Sequence, residues 1–277
     1  MAIRVAAANT QERLGIPGQA DVDAYLKLDA DVLGFSDAYW LGNPLHGARA
    51  EVAEASLEQF RHEGYRDISV NYGDRAGHYP GRYLVGLSRI AGTEFGGTKA
   101  GMYNAVDMRV PDTESGRSLR VLVWHGDDQF EDNRQLMADA LLNDVSPDEP
   151  TVIAGDENAT YGTYPLERLL KSKAAKWMIE RYAADKPPRN EHEERYGRPS
   201  MPKRAIGMVD GGTRQRFTAA GFRDADHRHR PTFPARMPLL QLDRIACNWL
   251  VAASDFRRHK TGASDHLAIS ALLRIRS

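Results

Sequence analysis

Short runs of apolar residues recur along the whole chain, and their length and composition predict strands. The eight predicted segments are Ile3–Asn9, Asp31–Asp37, Tyr83–Ile90, Asn104–Val110, Leu119–His125, Thr151–Asp156, Leu242–Asn248 and His266–Ile275. Helical spacing of apolar residues predicts three helices between them. The first ends near Gly64, the second follows Glu131, and the third runs from Leu166 to Tyr182, before two prolines.

The order of these elements predicts the fold class. Strands and helices interleave, but several neighbouring strands have no helix between them, which excludes a doubly wound parallel sheet. The chain is therefore expected to be α/β (α+β) with antiparallel pairing. Neither an internal repeat nor a linker divides it, so residues 1–277 are expected to form a single domain.

Composition narrows the protein class. The chain has 277 residues, of which 42% are apolar and 27% charged, with a mean hydropathy of -0.54, as in soluble globular proteins. No apolar run approaches the ~20 residues of a membrane span, and the first residues resemble a strand rather than a secretory signal. Cys247 is the single cysteine, which excludes a disulfide framework and a cysteine-based zinc cluster. A cytoplasmic monomer without membrane contact is the expected state.

The formal net charge of -1 excludes a globally basic nucleic-acid binder, but the charge is unevenly distributed. The basic segment, residues 171–216, holds twelve Lys or Arg and six Asp or Glu. Its net charge of +6 has two interpretations. It is either a solvated surface insertion or a positive surface for a polyanion, since Lys and Arg beside phosphates release counterions.

The predicted strands share polar termini. Acid, amide or imidazole groups stand at the end or the start of six of them, or immediately beside one: Asn9, Asp37, His125, Asp156 with Asn158, Asp243, and Asp265 with His266. This recurrence predicts a polar cluster at one rim of a sheet. Oxygen ligands of this kind suit Mg²⁺ or Mn²⁺ rather than zinc.

Such a rim has the groups that phosphate-ester cleavage requires, namely a metal site, a base for water and donors for the developing charge. Asp37 and Asp265 are candidate metal ligands, with Asn9 nearby. Asp243 is a candidate for orienting the imidazole of His266. Two further groups, His125 and Asn158, are candidate donors to phosphoryl oxygens.

Three short motifs occur in a characteristic order: Gly155-Asp156-Glu157-Asn158, Leu242-Asp243-Arg244-Ile245 and Ser264-Asp265-His266. With the strands ending in Asn9, Asp37 and His125, the series resembles the endonuclease/exonuclease/phosphatase superfamily. That superfamily includes pancreatic-type deoxyribonucleases, abasic-site endonucleases, inositol-phosphate phosphatases and sphingomyelinases. The resemblance implies a four-layer α/β/β/α sandwich of two mixed β-sheets flanked by helices.

The resemblance also implies roles for individual residues. Asp37 would be the main ligand of Mg²⁺ or Mn²⁺, helped by Asn9 and Asp265. His266 would be the catalytic imidazole. The other catalytic residues would be Asp243, which orients that imidazole, Asp156, which positions or activates water, and Asn158 and His125, which contact the phosphate. Arg228, Arg230 and Thr232, which precede the Asp243 strand, are expected to bind substrate.

Two departures from the superfamily pattern bear on the site. The superfamily usually has Gln-Glu where this chain has Ser36-Asp37, and the shorter Asp requires the metal to lie closer to the backbone or to be bridged by water. An aromatic residue commonly stands where this chain has Glu157, which is expected to add negative charge near the site or to face solvent.

The sequence favours a Mg²⁺-dependent phosphodiesterase, with DNA as the first substrate because of the basic segment. One alternative is an enzyme that hydrolyses a small or lipid-linked phosphate ester. The other is a non-catalytic nucleic-acid-binding protein on the same fold, for which the Asp37 departure is the main support.

Overall fold

The computed structural model describes residues 1–10, 22–38, 48–71, 83–100, 103–127, 130–160, 165–185, 187, 201–209, 212–236, 239–262 and 264–276. Its strands, in chain order, are β1 Ala2–Asn9, β2 Val32–Ser36, β3 Arg66–Asn71, β4 Tyr83–Ser88, β5 Glu94–Ala100, β6 Tyr103–Asp112, β7 Arg117–His125, β8 Thr151–Asp156, β9 Arg223–Asp224, β10 Asp243–Cys247, β11 Val251–His259 and β12 Ala268–Ile275. The helices are α1 Val22–Leu26, α2 Ala48–His62, α3 Glu131–Asp144, α4 Pro165–Lys171, α5 Lys173–Tyr182, α6 Met201–Val209 and α7 Gly212–Ala219.

Two six-stranded sheets form the centre of the protein. The first has the strand order β11-β12-β1-β2-β4-β3, and the second has the order β5-β6-β7-β8-β10-β9. Each sheet contains a parallel pair, β1 with β2 and β7 with β8, among antiparallel neighbours. The predicted mixed-sheet sandwich is therefore confirmed.

The two sheets pack face to face through small and branched side chains. Gly34 of β2 lies against Val123 of β7 so closely that a Cβ at Gly34 would come within 2.6 Å of the valine side chain. A glycine is required there because any larger residue would push the sheets apart. The sheets thus share one apolar core that includes Val5, Val123 and Ile269.

Helices cover the outer faces of both sheets. On the first sheet, Tyr25 of α1 and Phe60 of α2 pack around Phe35. On the second, α3 and α7 cover the outer face, and Trp124 of β7 packs against Phe217 at a centroid distance of 5.4 Å. These helices complete the α/β/β/α order. Across the described ranges, none of the helices combines the length and the apolar character needed to span a bilayer.

All eight predicted strands are present, with ends that differ by a few residues. The four strands that the sequence did not predict, β3, β5, β9 and β11, are the four sheet edges. Edge strands need less apolar surface because one side stays open, so their sequences lack a strong apolar pattern. The third predicted helix, from Leu166 to Tyr182, is two helices, α4 and α5, so its prediction as one continuous helix was wrong. It is divided at Ser172, whose hydroxyl accepts a hydrogen bond from the Ala175 amide and caps α5.

The basic segment is exposed only in part. Residues 186, 188–200, 210 and 211 lie outside the described residues. In α5, most side chains are exposed, whereas Thr213 and Arg214 of α7 are buried. Arg214 therefore belongs to the interior of the protein and adds nothing to a positive surface.

Candidate active site

The polar ends of the central strands meet at one rim of the sandwich. In the parallel pairs β1/β2 and β7/β8, the strand ends bring Asn9 beside Ser36 and His125 beside Asp156. Asp243 begins β10 directly opposite Asp156 on the antiparallel β8. The result is a cavity of about 200 Å³, lined by Asn9, Asp37, His125, Asp156, Asn158, Arg204, Met208, Phe233, Leu242, Asp265 and His266.

His266 is held by a buried carboxylate. Its Nδ1 lies 2.8 Å from Oδ2 of Asp243 and 3.7 Å from Oδ2 of Asp156. The ring of Phe233 packs on the imidazole at a centroid distance of 4.8 Å. Burial alone would lower the pKa of His266, but the negative charges of Asp243 and Asp156 raise it to about 9. The imidazole is therefore held as a cation at neutral pH.

Asp156 lies at the centre of the cluster and is 1% exposed. Its carboxylate accepts hydrogen bonds from the Asn9 side-chain amide at 2.9 Å and from the Asn158 backbone amide at 2.8 Å. Burial would raise the pKa of Asp156, but the positive charge of His266 and the hydrogen bond from His125 lower it to about 2. This carboxylate is therefore ionised across the physiological range.

The turn after β8 depends on a special backbone. Gly155 has φ of +139°, and a Cβ there would lie 2.1 Å from the Trp124 carbonyl oxygen. Asn158 adopts a left-handed conformation with φ of +49°, which asparagine tolerates better than most residues. The turn directs the Asn158 amide towards His125 Nε2, at 3.0 Å, and towards the Gly126 carbonyl oxygen, at 2.9 Å.

His125 connects the two acidic sides of the cavity. Its Nδ1 lies 3.3 Å from Oδ1 of Asp37, and its Nε2 lies 3.7 Å from Oδ2 of Asp156. Burial would lower the pKa of His125, but the charge of Asp37 and the hydrogen bond with Asp156 raise it to about 10. The Asn158 Nδ2 contacts both Nε2 of this ring and the Gly126 carbonyl oxygen, so turning the amide over would place two oxygens against each other at Gly126.

The three predicted metal ligands all line the cavity. Asp37 follows β2 with φ of +50°, and the Asn9 amide lies 3.4 Å from its Oδ2. The side chains of Asp37 and Asp265 are 14% and 36% exposed, whereas those of Asp156 and Asp243 are fully buried. An ion that enters from solvent therefore meets Asp37 and Asp265 first. Their carboxylate oxygens are donors that fit Mg²⁺ or Mn²⁺. Asn9 directs its amide nitrogen towards Asp37 and Asp156.

A second group also has the compactness of a metal site. In the described part of the chain, ligand atoms of Asp156, Asp243 and His266 lie within 4.8 Å of one another. The hydrogen bond between Asp243 and His266 already accounts for much of this closeness. The assignment of Asp37, Asn9 and Asp265 as ligands remains a prediction.

The predicted substrate-binding residues do not line this cavity. Arg228 and Arg230 line a different cavity, beside Phe256. The carboxylate of Asp226 accepts both of their backbone amides, and it also pairs with the Arg230 guanidinium at 3.1 Å. The two arginines are thus held in a turn outside the lining of the candidate active site, and their role in substrate binding stays a prediction.

The third predicted substrate-binding residue, Thr232, is fully buried. Its hydroxyl accepts the backbone amides of Leu242 and Asp243, each at 3.1 Å. Thr232 therefore anchors the start of β10. It helps to place Asp243 beneath His266.

Glu157 also differs from expectation, because it neither faces solvent nor adds free charge to the cavity. It is 1% exposed and accepts hydrogen bonds from the Arg244 guanidinium at 3.0 and 3.2 Å. Arg214 of α7 lies 3.2 Å from it, and both arginines also approach Asp224. These four residues form the buried ion network, which supports β8 and β10 behind the cavity.

Two further residues of the cavity wall, Arg204 and Met208 of α6, were not predicted from the sequence. The Met208 carbonyl accepts the Thr160 backbone amide at 2.7 Å, which fixes α6 to the loop after Asn158. The one sequence feature that pointed to either residue was the position of Arg204 in the basic segment. The chain separation of about fifty residues from Asp156 concealed the contact.

Comparison with solved structures identifies the architecture. A protein from Beutenbergia cavernae DSM 12333, described as an endonuclease/exonuclease/phosphatase, superposes with a TM-score of 0.65 at 16% identity, covering 100% of this chain and 72% of that one. This chain has the endonuclease/exonuclease/phosphatase fold. No protein-family model matches the sequence, and no curated protein matches it.

Other proteins with the endonuclease/exonuclease/phosphatase fold match over nearly their whole length. An AP endonuclease from Archaeoglobus fulgidus has a TM-score of 0.58 at 15% identity, with coverage of 99% of this chain and 100% of that one. The human Nocturnin catalytic domain, with a bound sulfate anion, has a TM-score of 0.57 at 11% identity, with coverage of 99% and 93%. At these identities the similarity establishes the fold of this chain.

Proposed function

We propose that this protein is a divalent-metal-dependent phosphodiesterase, and that its substrate is DNA. The observation that carries the proposal is the convergence of Asp37, Asp156 and His266 on one cavity, with Asp243 behind the imidazole. Such a combination of ionised carboxylates and cationic imidazoles suits a reaction in which negative charge develops on phosphate. The fold shared with an AP endonuclease supports the same reaction class.

Asp37, Asn9 and Asp265 would hold Mg²⁺ or Mn²⁺ at the exposed side of the cavity. When bound, the ion neutralises charge on the phosphate and acts as a Lewis acid on a phosphoryl oxygen.

Asp156 orients the attacking water. Its carboxylate is ionised and held by Asn9 and by the Asn158 backbone amide, so it accepts a proton from water as the new P–O bond forms. His266 is a cation whose Nδ1 is occupied by Asp243, which leaves Nε2 to donate to a phosphoryl oxygen. We therefore infer that the carboxylate accepts the water proton and that the imidazole stabilises charge.

His125 and Asn158 contact the phosphate from the other wall. The raised pKa of His125 means that the ring carries a proton at neutral pH, and this proton is available to the leaving oxygen as the ester bond breaks. Asn158 lies beside that ring, where it would contact a phosphoryl oxygen. Water is consumed, one P–O bond forms, one breaks, and the departing alcohol receives its proton.

A small phosphate ester is the second candidate substrate. The cavity of about 200 Å³ accommodates one phosphate group with its substituents, which is sufficient for a monomeric ester. DNA is favoured because Arg204 stands at the cavity wall and belongs to the basic segment. A strand that leaves the cavity past Arg204 would meet further cations.

Supercoiled plasmid incubated with the protein and Mg²⁺ tests the proposal. Nicking that stops with a chelator and is lost in Asp156→Asn and His266→Ala would support it. His62→Ala is the matched control, because His62 is exposed at the end of α2 and lies outside the cavity. This variant should nick as fast as wild type.

The other outcomes identify the alternatives. Turnover of a small phosphate ester without plasmid nicking would replace DNA with a small substrate. DNA binding without hydrolysis of either substrate, in the presence of Mg²⁺ or Mn²⁺, would contradict catalysis and support a binding protein.

A further inference from the structure

Helix α5 presents an unusual surface beside the candidate active site. Trp177, Met178 and Tyr182 are 56%, 55% and 70% exposed, although large apolar side chains of a surface helix normally face the interior. The less exposed side of the helix instead carries Ala175, Lys176 and Ile179. The apolar side of α5 therefore points outwards, which marks an interaction surface.

Cations lie among these apolar residues. Lys173, Trp177 and Arg181 are four residues apart and form one stripe along the helix, and Met178 and Tyr182 form the next. The Arg181 guanidinium lies 5.7 Å from the Trp177 ring centroid and 5.9 Å from that of Tyr182. We call these five residues the aromatic–basic face.

The two rings contact each other and remain largely exposed. They meet edge to face, with centroids 6.1 Å apart and an interplanar angle of 87°. More than half of the Trp177 surface remains open to solvent. An aromatic ring with a neighbouring guanidinium is the arrangement on which nucleobases stack while their phosphates pair with cations.

Helix α6 connects the aromatic–basic face with the cavity. It packs against both α4 and α5, and Lys203 of α6 forms an ion pair with Asp185, just beyond α5, at 2.9 Å. The next residue, Arg204, lines the cavity. The aromatic–basic face is thus one helix away from the place where phosphate chemistry is proposed.

We propose that the aromatic–basic face binds unpaired nucleotides of a single-stranded nucleic acid whose scissile phosphate occupies the cavity. This inference rests on the proposed function and specifies its substrate class. Unpaired bases are required because the faces of bases in a duplex are already stacked on their neighbours. The phosphates between those bases would pair with Lys173 and Arg181, the cations on both sides of Trp177.

An anionic membrane surface fits the same face less well. A helix that lies in a bilayer interface buries an uninterrupted apolar side along its length. On α5, Lys173 and Arg181 occupy the same stripe as Trp177, and Glu180 is exposed beside them. Insertion of Trp177 to the depth of the acyl chains would therefore also bury charge.

Binding of a fluorescein-labelled 12-nucleotide single-stranded DNA to the full-length chain, measured by anisotropy with chelator present, tests this inference. Trp177→Ala should weaken binding roughly 5- to 100-fold, the range expected from the loss of one stacked base. Trp177→Phe should retain most of the affinity because the ring remains. Trp249→Ala is the matched control, since Trp249 is 60% exposed but follows the far end of β10.

Several results would overturn the inference. The first is equal affinity of Trp177→Ala and Trp249→Ala for the single strand. The second is a loss of affinity in Trp177→Ala that is as large for the blunt duplex of the same sequence as for the single strand. The third is that Trp177→Ala loses binding to phosphatidylserine vesicles while its affinity for DNA is unchanged. Hydrolysis of a small phosphodiester is measured separately with the same variants. Single-strand binding that depends on Trp177, without any hydrolysis, would support base stacking on the aromatic–basic face and contradict the proposed function. Hydrolysis without a Trp177 effect would support the proposed function and contradict this inference.

Discussion

Asp156 and Asp243 lie directly opposite each other on antiparallel strands, yet the pKa of Asp156 is lowered whereas that of Asp243 is raised. Burial raises the pKa of both. For Asp156, the charge of His266 and the hydrogen bonds of His125 and Asn9 outweigh burial. For Asp243, the neighbouring negative charge of Asp156 adds to burial. The two paired positions therefore differ in chemistry. Asp156 is strongly ionised, whereas Asp243 holds the imidazole of His266.

Replacing Asp243 tests its positioning role. In Asp243→Asn, we expect kcat for a small phosphodiester to fall about 10²- to 10⁴-fold, because the imidazole loses the partner that orients it. The pH profile provides a readout beyond simple damage. Since His266 acts as a cation with a pKa of about 9, wild-type activity should decline above that pH.

The direction of the change in Asp243→Asn follows from the cause of the shift. The Asp243 charge raises the pKa of His266, so its removal lowers that pKa and moves the alkaline decline to lower pH. Circular dichroism shows whether the variant is folded. An alkaline limb that stays in place in a folded, slow variant would contradict this role for Asp243.

The buried ion network should matter for stability. Glu157→Gln leaves Arg214 and Arg244 without one of their buried counter-charges, and we expect a loss of about 3–5 kcal/mol in the free energy of unfolding. Urea denaturation measures the loss. Asp139→Asn is the comparison variant, because it breaks a half-exposed ion pair between Asp139 of α3 and Arg216 of α7. Its loss should cost only about 0–1 kcal/mol. Equal losses in the two variants would show that burial of the network has no energetic consequence.

Cys247 reports on the integrity of β10. Burial, with the charge of Asp224, raises the pKa of its thiol to about 12, so the native protein should react negligibly with a thiol reagent at pH 8. In denaturant, one equivalent should react, because the chain has a single cysteine. Rapid labelling of the native protein would contradict the burial of this strand.

The sequence was sufficient to predict the strands that build the site, but not helix α6. Strands β1, β2, β7 and β8 are short apolar runs with polar ends, which meet at one rim because parallel neighbours end on the same side. The antiparallel β10 instead brings its first residue, Asp243, to that rim. The edge strands were missed because their open side requires no apolar pattern. β11 carries Asp255, Arg257 and Arg258 and therefore resembles a loop in sequence.

The residues that the structure places elsewhere than the sequence suggested are those whose position depends on tertiary contacts. Arg228 and Arg230 stand close in sequence to Asp243, but the hydrogen bonds of Asp226 fix a turn that points them elsewhere. Glu157 was expected to be free because its partners, Arg214 and Arg244, come from distant parts of the chain. Sequence spacing carries no information about such pairings.

The magnesium dependence of phosphodiester hydrolysis, compared between wild type and Asp37→Asn, tests the central claim most directly. Wild-type activity should vanish with chelator and return with Mg²⁺. Asp37→Asn should require a roughly 10- to 100-fold higher Mg²⁺ concentration, because it removes the negative charge of a carboxylate that lines the cavity just after β2. Activity that survives chelation, or an unchanged Mg²⁺ requirement in the variant, would contradict a metal-assisted site built on Asp37.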